Sequence, residues 1–293
     1  MRKSYERLTA AITAMSSIPD TLRPRDAEGR PGGLIEFPSD DNRTVVIVGD
    51  LHANSGNLKR ILKDTHNYSS VKEDRTILLL LGDAFHESRT NRLAEMETSM
   101  RMLDILITLI TRHPENVFYL RGNHDSFAMD FTKGGVAQGQ LFRRHLVRRR
   151  GEEYAVLVEQ FFDMLPYVVQ HPRFIALHAG PPLVPTTREA IINVRDDEAL
   201  MHALVWNRIN DLKLPSRDSL YVSADLDNFR KALSAPKTMP VIVGHNPMRH
   251  RGGEALWIDL ADCHDHVMFT SDGVPRAPYL SFGGSVRFEI RWV

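Results

Sequence analysis

The sequence predicts an α/β domain with its chemistry on the loops that follow its strands. Short β-branched and aliphatic runs alternate with stretches of helical apolar spacing, the pattern of parallel strands joined by helical crossovers. Five motifs, Gly49-Asp50-Leu51-His52, Gly82-Asp83, Gly122-Asn123-His124-Asp125, His178-Ala179-Gly180 and Gly244-His245, carry oxygen or imidazole donors, and four directly follow an apolar run. Strand ends are the usual place for ligand sites in α/β sheets.

Residues 1 to about 18 read as a helix with Leu8, Ile12 and Met15 on one face. Pro19 to Asp41, rich in Pro, Gly and charge, reads as a loop or linker. The organisation expected is an N-terminal extension over 1–43 and a globular unit over 44–293. Thr44–Val48, Thr76–Leu81 and Val117–Leu120 read as buried strands, with helices around Leu58 and from Leu93 to Ile110 between them. Ser126 to Val169 reads as mostly helical. Phe174–Leu177 and Val241–Val243 are two further strands, and Leu256–Ile258, Val267–Phe269, Tyr279–Phe282 and Val286–Ile290 are short strands between turns. In the last, Val286, Phe288 and Ile290 alternate with Arg287, Glu289 and Arg291, which predicts one wet face.

Lys plus Arg equals Asp plus Glu at 37 each, so global charge points to neither a nucleic acid nor a membrane partner. The single cysteine, Cys263, excludes an intramolecular disulfide and fits a reducing compartment. No apolar signal region or bilayer-length run is evident, and a soluble cytoplasmic protein is expected. The run 143–150, with five arginines, reads as a solvated helix face, the alternative being a docking patch for an acidic or phosphorylated partner. Asp262, Cys263, His264 and His266 read as a turn between strands rather than a zinc site, and Met96, Met100 and Met102 as core filler.

Singly, the motifs say little. Asp-x-His is common, Gly-Asp often ends a strand, Asn123 suits a turn, and an isolated histidine is more often bonded to backbone. Together, Asp50, His52, Asp83, Asn123, His178 and His245 form a ligand set for two adjacent divalent ions, with one carboxylate left to bridge them. Such a centre activates water for attack on phosphorus. An extended backbone at Asp50-x-His52 would point both side chains the same way.

The motifs resemble those of the phosphoprotein phosphatases within the calcineurin-like metallophosphoesterases. That family's pattern is GDxHG, GDxxDRG, GNHE, HGG and GH; this chain reads GDLHAN, GDAFHES, RGNHDS, HAGPP and GHNP. Phe161 to Pro166 is similar to the family's helix ending in Leu-Pro, and Trp206-Asn207-Arg208 to a segment of the bacteriophage lambda type and related bacterial enzymes. The resemblance covers about Thr44 to Ile290.

It implies a four-layer sandwich, two mixed β-sheets flanked by helices, with one sheet from the first half of the chain and the other from the C-terminal half. It implies that Asp50 and His52 hold one metal, that Asp83 bridges, and that Asn123, His178 and His245 hold the other. Mn²⁺ is the first choice, with Fe and Zn²⁺ also suited to mixed oxygen and imidazole ligands. His124 would protonate the leaving oxygen, and Arg208 would clamp the phosphate beside Asn123. The pattern's Asp and Arg after GDxx are here His86 and Glu87, and the next arginine is Arg89. Glu87 is then expected to orient His124, and Arg89 to serve as a second clamp. Ala53 stands at the closing glycine of GDxHG, and Ala179 at a glycine of HGG. The activity implied is a serine/threonine protein phosphatase acting on a phosphorylated protein or small phosphoester. A phosphodiesterase or dinucleoside-polyphosphate hydrolase, and a non-catalytic phosphoprotein binder, are the alternatives. For the N-terminal 43 residues a lid, a dimer arm and disorder stay open.

Overall fold

The computed structural model describes residues 2–128, 132–246, 252–283 and 287–293. In chain order these form α1 (Arg2–Ser16), β1 (Leu34–Glu36), β2 (Thr44–Val48), α2 (Ser55–Lys63), α3 (Asn67–Lys72), β3 (Thr76–Leu80), α4 (Glu97–Arg112), β4 (Val117–Tyr119), α5 (Gln138–Arg150) and α6 (Glu152–Asp163). There follow β5 (Val168–His171), β6 (Phe174–Leu177), α7 (Arg188–Ile192), α8 (Glu198–Trp206), β7 (Arg208–Ile209), β8 (Leu220–Tyr221) and α9 (Ser223–Ala232). The last strands are β9 (Val241–Val243), β10 (Leu256–Ile258), β11 (His266–Phe269), β12 (Pro278–Phe282) and β13 (Glu289–Trp292).

Side-chain alternation along the strands decides the layering. One sheet has the order β13-β12-β2-β3-β4, and the other β1-β5-β6-β9-β11-β10. Val45, Ile47, Ile77 and Leu79 of the first sheet point inward and meet Val169, Ala176, Ile242 and Val267 of the second. Val46, Val48, Leu78 and Leu80 point outward, onto a core shared with α1, α2, α4, α5 and α6. On the far side Val168, Ile175, Val241 and Met268 pack against α7, α8 and α9. The result is helix, sheet, sheet, helix, because strands buried on both faces need cover on both. Both sheets are mixed: β2, β3 and β4 run parallel, as do β6, β9 and β11, while β12 and β10 pair antiparallel with their neighbours.

The strands are not divided by chain halves. β12 crosses to the first sheet and pairs antiparallel with β2, bringing β13 with it. Leu34–Glu36, within the segment read as linker, pairs parallel with β5 in the second sheet. Val168 and Val169, read as helical, begin β5, and 126–137 precedes the helix. α1 buries Leu8, Ala11 and Met15 in the core under α4 and α6. Val286 lies outside the described residues. Ile290, expected on a dry face, is 36% exposed because β13 is an edge strand. The arginine-rich run lies in α5, where Arg149 meets Glu97 at 3.1 Å and Arg150 meets Asp104 at 2.6 Å, an ion-paired helix face. No helix among the described residues is long and apolar enough to cross a membrane.

Candidate metal centre

β2 ends at Val48, and Gly49 carries the chain against β11, where a Cβ would lie 2.6 Å from the Phe269 carbonyl oxygen. This close approach lets Asp50 form a parallel bridge with Thr270, and the Asp50 carbonyl accepts from the Ser271 N–H at 2.8 Å. The bridge joins the rims of the two sheets at a carboxylate. The chain then turns: His52 has φ 43° and Ala53 φ 62°. Their N–H groups donate to the Asp83 and Ala84 carbonyls at 3.0 and 2.7 Å. The extended Asp50-x-His52 geometry expected from sequence is therefore replaced by a left-handed turn. It brings His52 Nε2 within 4.0 Å of Asp50 Oδ2.

Asp83, after β3, accepts from the His124 N–H at 2.8 Å. Gly122 permits this, since a Cβ there would stand 2.3 Å from Asp83 Oδ1. Asp125, where the family pattern has Glu, is fully buried. It accepts from Tyr119 Oη (2.5 Å), Gly122 N (2.7 Å) and Asp83 N (3.3 Å), bracing both loops. His178 follows β6, and His245 follows β9. The His245 N–H donates to both Asp50 oxygens, at 3.2 and 3.1 Å. A Cβ on Gly244 would lie 2.2 Å from Asp50 Oδ1. His52, Asp83, His86 and His245 all have positive φ, a local strain typical of functional sites.

Two groups of donor atoms result, each within 4.8 Å: His52, Asp83 and His124, and Asp83, His178 and His245. Asp83 belongs to both. Asp50 lies beside them, its Oδ1 3.9 Å from His178 Nδ1. That nitrogen bonds instead to the Leu81 carbonyl at 2.8 Å, and because a carbonyl only accepts, Nδ1 carries the proton. His178 Nε2 is thus a lone-pair donor, facing Asn123 Oδ1 at 3.0 Å and Asp83 Oδ1 at 3.5 Å.

Burial pushes the Asp50 carboxyl up to about 7 and Asp83 well above the usual carboxylate range. Burial likewise pushes His52 down to about 4, and His124 and His245 well below the ordinary imidazole value. Oxygen and nitrogen lone pairs converge where negative charge is penalised, an arrangement a divalent cation relieves. The donor set and the glycine cradle fit divalent metal ions, with Asp83 common to the two donor groups and Asp50 and Asn123 beside them.

A cleft of about 870 Å³ opens over these residues, and Arg208 and Lys133 line it. Arg208 begins β7, after the Trp206 end of α8, and its N–H donates to the Ser219 carbonyl at 2.8 Å. The residues after Asp83 depart from expectation. The Glu87 carboxylate is buried and bonded to Arg89 at 2.8–3.0 Å, with Arg92 at 3.3 Å, rather than to His124. Arg89 is thereby tied to Glu87 and is not among the described residues lining the cleft. Beside His124 stands His86, with ring centroids 5.9 Å apart. Burial pushes His86 down to about 3, so a neutral imidazole occupies the place of the expected carboxylate.

Lys133 and Asp272 escaped the sequence reading. Asp272 follows the apolar run of β11, so the strand-end rule applied to it as to the others. It accepts from Ser88 Oγ at 2.9 Å and Thr270 Oγ1 at 2.7 Å at the cleft wall. Lys133 stands alone before two glycines, and no motif marks it.

The family model described as calcineurin-like phosphoesterase matches residues 43–269. The chain belongs to this family. Its members use divalent metal ions, and the two donor groups sharing Asp83 are this phosphoesterase's candidate ligands. Among solved structures, the phosphoesterase is similar to a protein serine/threonine phosphatase from Saccharomyces cerevisiae described as similar to human phosphatase PP5. Identity is 14%, the match covers 99% of this chain and 89% of that one, and the TM-score is 0.72. It is also similar to a cold-active protein-tyrosine phosphatase of a psychrophilic Shewanella, at 13% identity, 93% and 80% coverage and TM-score 0.56. At these identities the likeness is one of fold, and it spans enzymes named for different phosphorylated residues.

Proposed function

We propose that this metallophosphoesterase is a protein phosphatase that removes phosphate from serine and threonine side chains of phosphorylated proteins, with Mn²⁺ as its preferred ion. The observation that carries this reading is the membership of Asp83 in both donor groups, at the floor of a cleft that Arg208 and His124 also line. Bound ions supply an activated water and neutralise charge on phosphorus. The chain's own residues do the rest. The planar fork of Arg208 suits two non-bridging phosphate oxygens and holds the ester in line. His124 lies beside Asp83, Nε2 to Oδ2 3.7 Å, where it can deliver a proton to the departing serine or threonine oxygen. Buried His124 is held neutral beside His52 and His86. The charge of an arriving phosphate favours its protonated form.

The test is a substrate panel for the manganese-loaded protein: phosphoserine, phosphothreonine and phosphotyrosine peptides, bis-p-nitrophenyl phosphate and diadenosine tetraphosphate. The expected result is highest kcat/KM on the first two. Preference for either of the last two would make it a diesterase or polyphosphate hydrolase. Arg208→Ala should raise KM for the preferred peptide about 10–100-fold, the worth of a hydrogen bond to a charged group.

A further inference from the structure

Among the described residues that line the cleft, the lysine and arginine side chains are Arg208 and Lys133. They arrive from separate parts of the chain, Arg208 on β7 and Lys133 on the loop before α5. The loop is fixed where Lys133 leaves it. Lys133 and Val136 exchange two backbone hydrogen bonds, each 3.0 Å, around Gly134 (φ 56°) and Gly135 (φ 78°). A Cβ on Gly134 would stand 2.9 Å from Leu93 Cδ1, so the turn packs closely on the domain. Arg89, which the sequence offered as the second clamp, is closed onto Glu87 instead.

We propose that Lys133 is the second phosphate-binding cation of this cleft and biases the site toward phosphomonoester dianions over diesters. The proposal deepens the phosphatase reading and rests on it. A monoester carries about two negative charges at neutral pH and a diester one. Arg208 can grip two oxygens through its fork, and the lysine ammonium adds a point charge for the remaining oxygen that only a monoester leaves free.

The experiment compares wild type, Lys133→Met and Lys133→Arg, all loaded with manganese. Calorimetry measures inorganic phosphate binding, and kinetics measure p-nitrophenyl phosphate against bis-p-nitrophenyl phosphate. Lys133→Met should weaken phosphate binding and raise KM for the monoester about 10–100-fold, the loss expected for one charged hydrogen bond. It should leave diester KM within about threefold, metal content should be unchanged, and Lys133→Arg should restore most of the loss. Phosphate affinity that Lys133→Met does not alter overturns the proposal, as does an equal loss on monoester and diester. If phosphate binds in a Lys133-dependent way but neither ester is hydrolysed, Lys133 keeps its binding role and the phosphatase reading fails.

Discussion

The ring of Tyr221 fills the space that a side chain on Gly180 would need: a Cβ there would stand 2.2 Å from Tyr221 Cε1. Gly180 closes the motif that carries His178, and Tyr221 lies in β8, the strand paired with the Arg208 end of β7. Tyr221 has no room to retreat. It is fully buried, and its hydroxyl donates at 2.8 Å to His266 Nε2, while the His266 Nδ1–H donates to the Val241 carbonyl at 2.8 Å. The loop that carries His178 and the strand that carries Arg208 are thus fitted together through one ring. Gly180→Ala should destabilise the fold by about 1–3 kcal/mol, the usual cost of overpacking. It should also raise KM for phosphopeptide as β7 shifts. Urea unfolding and steady-state kinetics check this; a stability change under about 0.5 kcal/mol with unaltered KM would show that the packing is slack.

His266 also sets a pH dependence. Burial pushes it down to about 4, against an ordinary value of 6.5. The unfolded chain therefore binds the extra proton, and stability present above pH 6.5 is lost as the pH falls toward 4. The contribution is at most about 3.5 kcal/mol, at about 1.4 kcal/mol per pH unit. Asp50 in the metal-free protein works the opposite way. Its carboxyl is raised to about 7 from 3.8, so the folded state holds the proton and stability falls as pH rises between those values. Urea unfolding of wild type and His266→Gln at pH 5 and pH 7.5 should show a smaller acid loss in the variant. Equal losses would contradict the burial of a neutral imidazole.

Asp125 braces Gly122 N and Asp83 N with one oxygen and accepts from Tyr119 Oη with the other. Asp125→Asn keeps one oxygen for the two N–H groups but puts an amide NH₂ where Tyr119 Oη now donates, leaving the buried Tyr119 O–H without its acceptor at about 1–3 kcal/mol. Thermal unfolding should report that loss, and metal affinity should fall about 10–100-fold, as when an outer partner of a ligand is removed. Unchanged metal affinity would mean that Asp83 needs no brace.

Much of this arrangement was legible in the sequence because it is local. The β-branched run Thr44–Val48 and the aliphatic run from Thr76 announce strands buried on both faces, and the donors fall where the runs stop. What escaped depends on partners distant in the chain. β1 is three residues in a Pro- and Gly-rich stretch and exists because β5 pairs with it. β7 and β8 are two residues each and stabilise one another. β12 reads as part of a C-terminal meander, yet β2 draws it to the other sheet. At the site, periodicity cannot distinguish an arginine that reaches the cleft from one that closes on a neighbouring carboxylate, as Arg89 does on Glu87. Nor does sequence show that Lys133 is carried to the cleft wall.

Asp83 serving two ions at once is the premise on which the proposed phosphatase activity rests. The direct measurement is metal content after equilibrium dialysis against manganese, by elemental analysis of wild type and Asp83→Asn, with circular dichroism to show that both are folded. The prediction is two ions per wild-type chain and a drop in affinity for both, at least about 10–100-fold, in the variant. A wild type that retains no ion, or a folded Asp83→Asn protein that keeps its full complement, would contradict it.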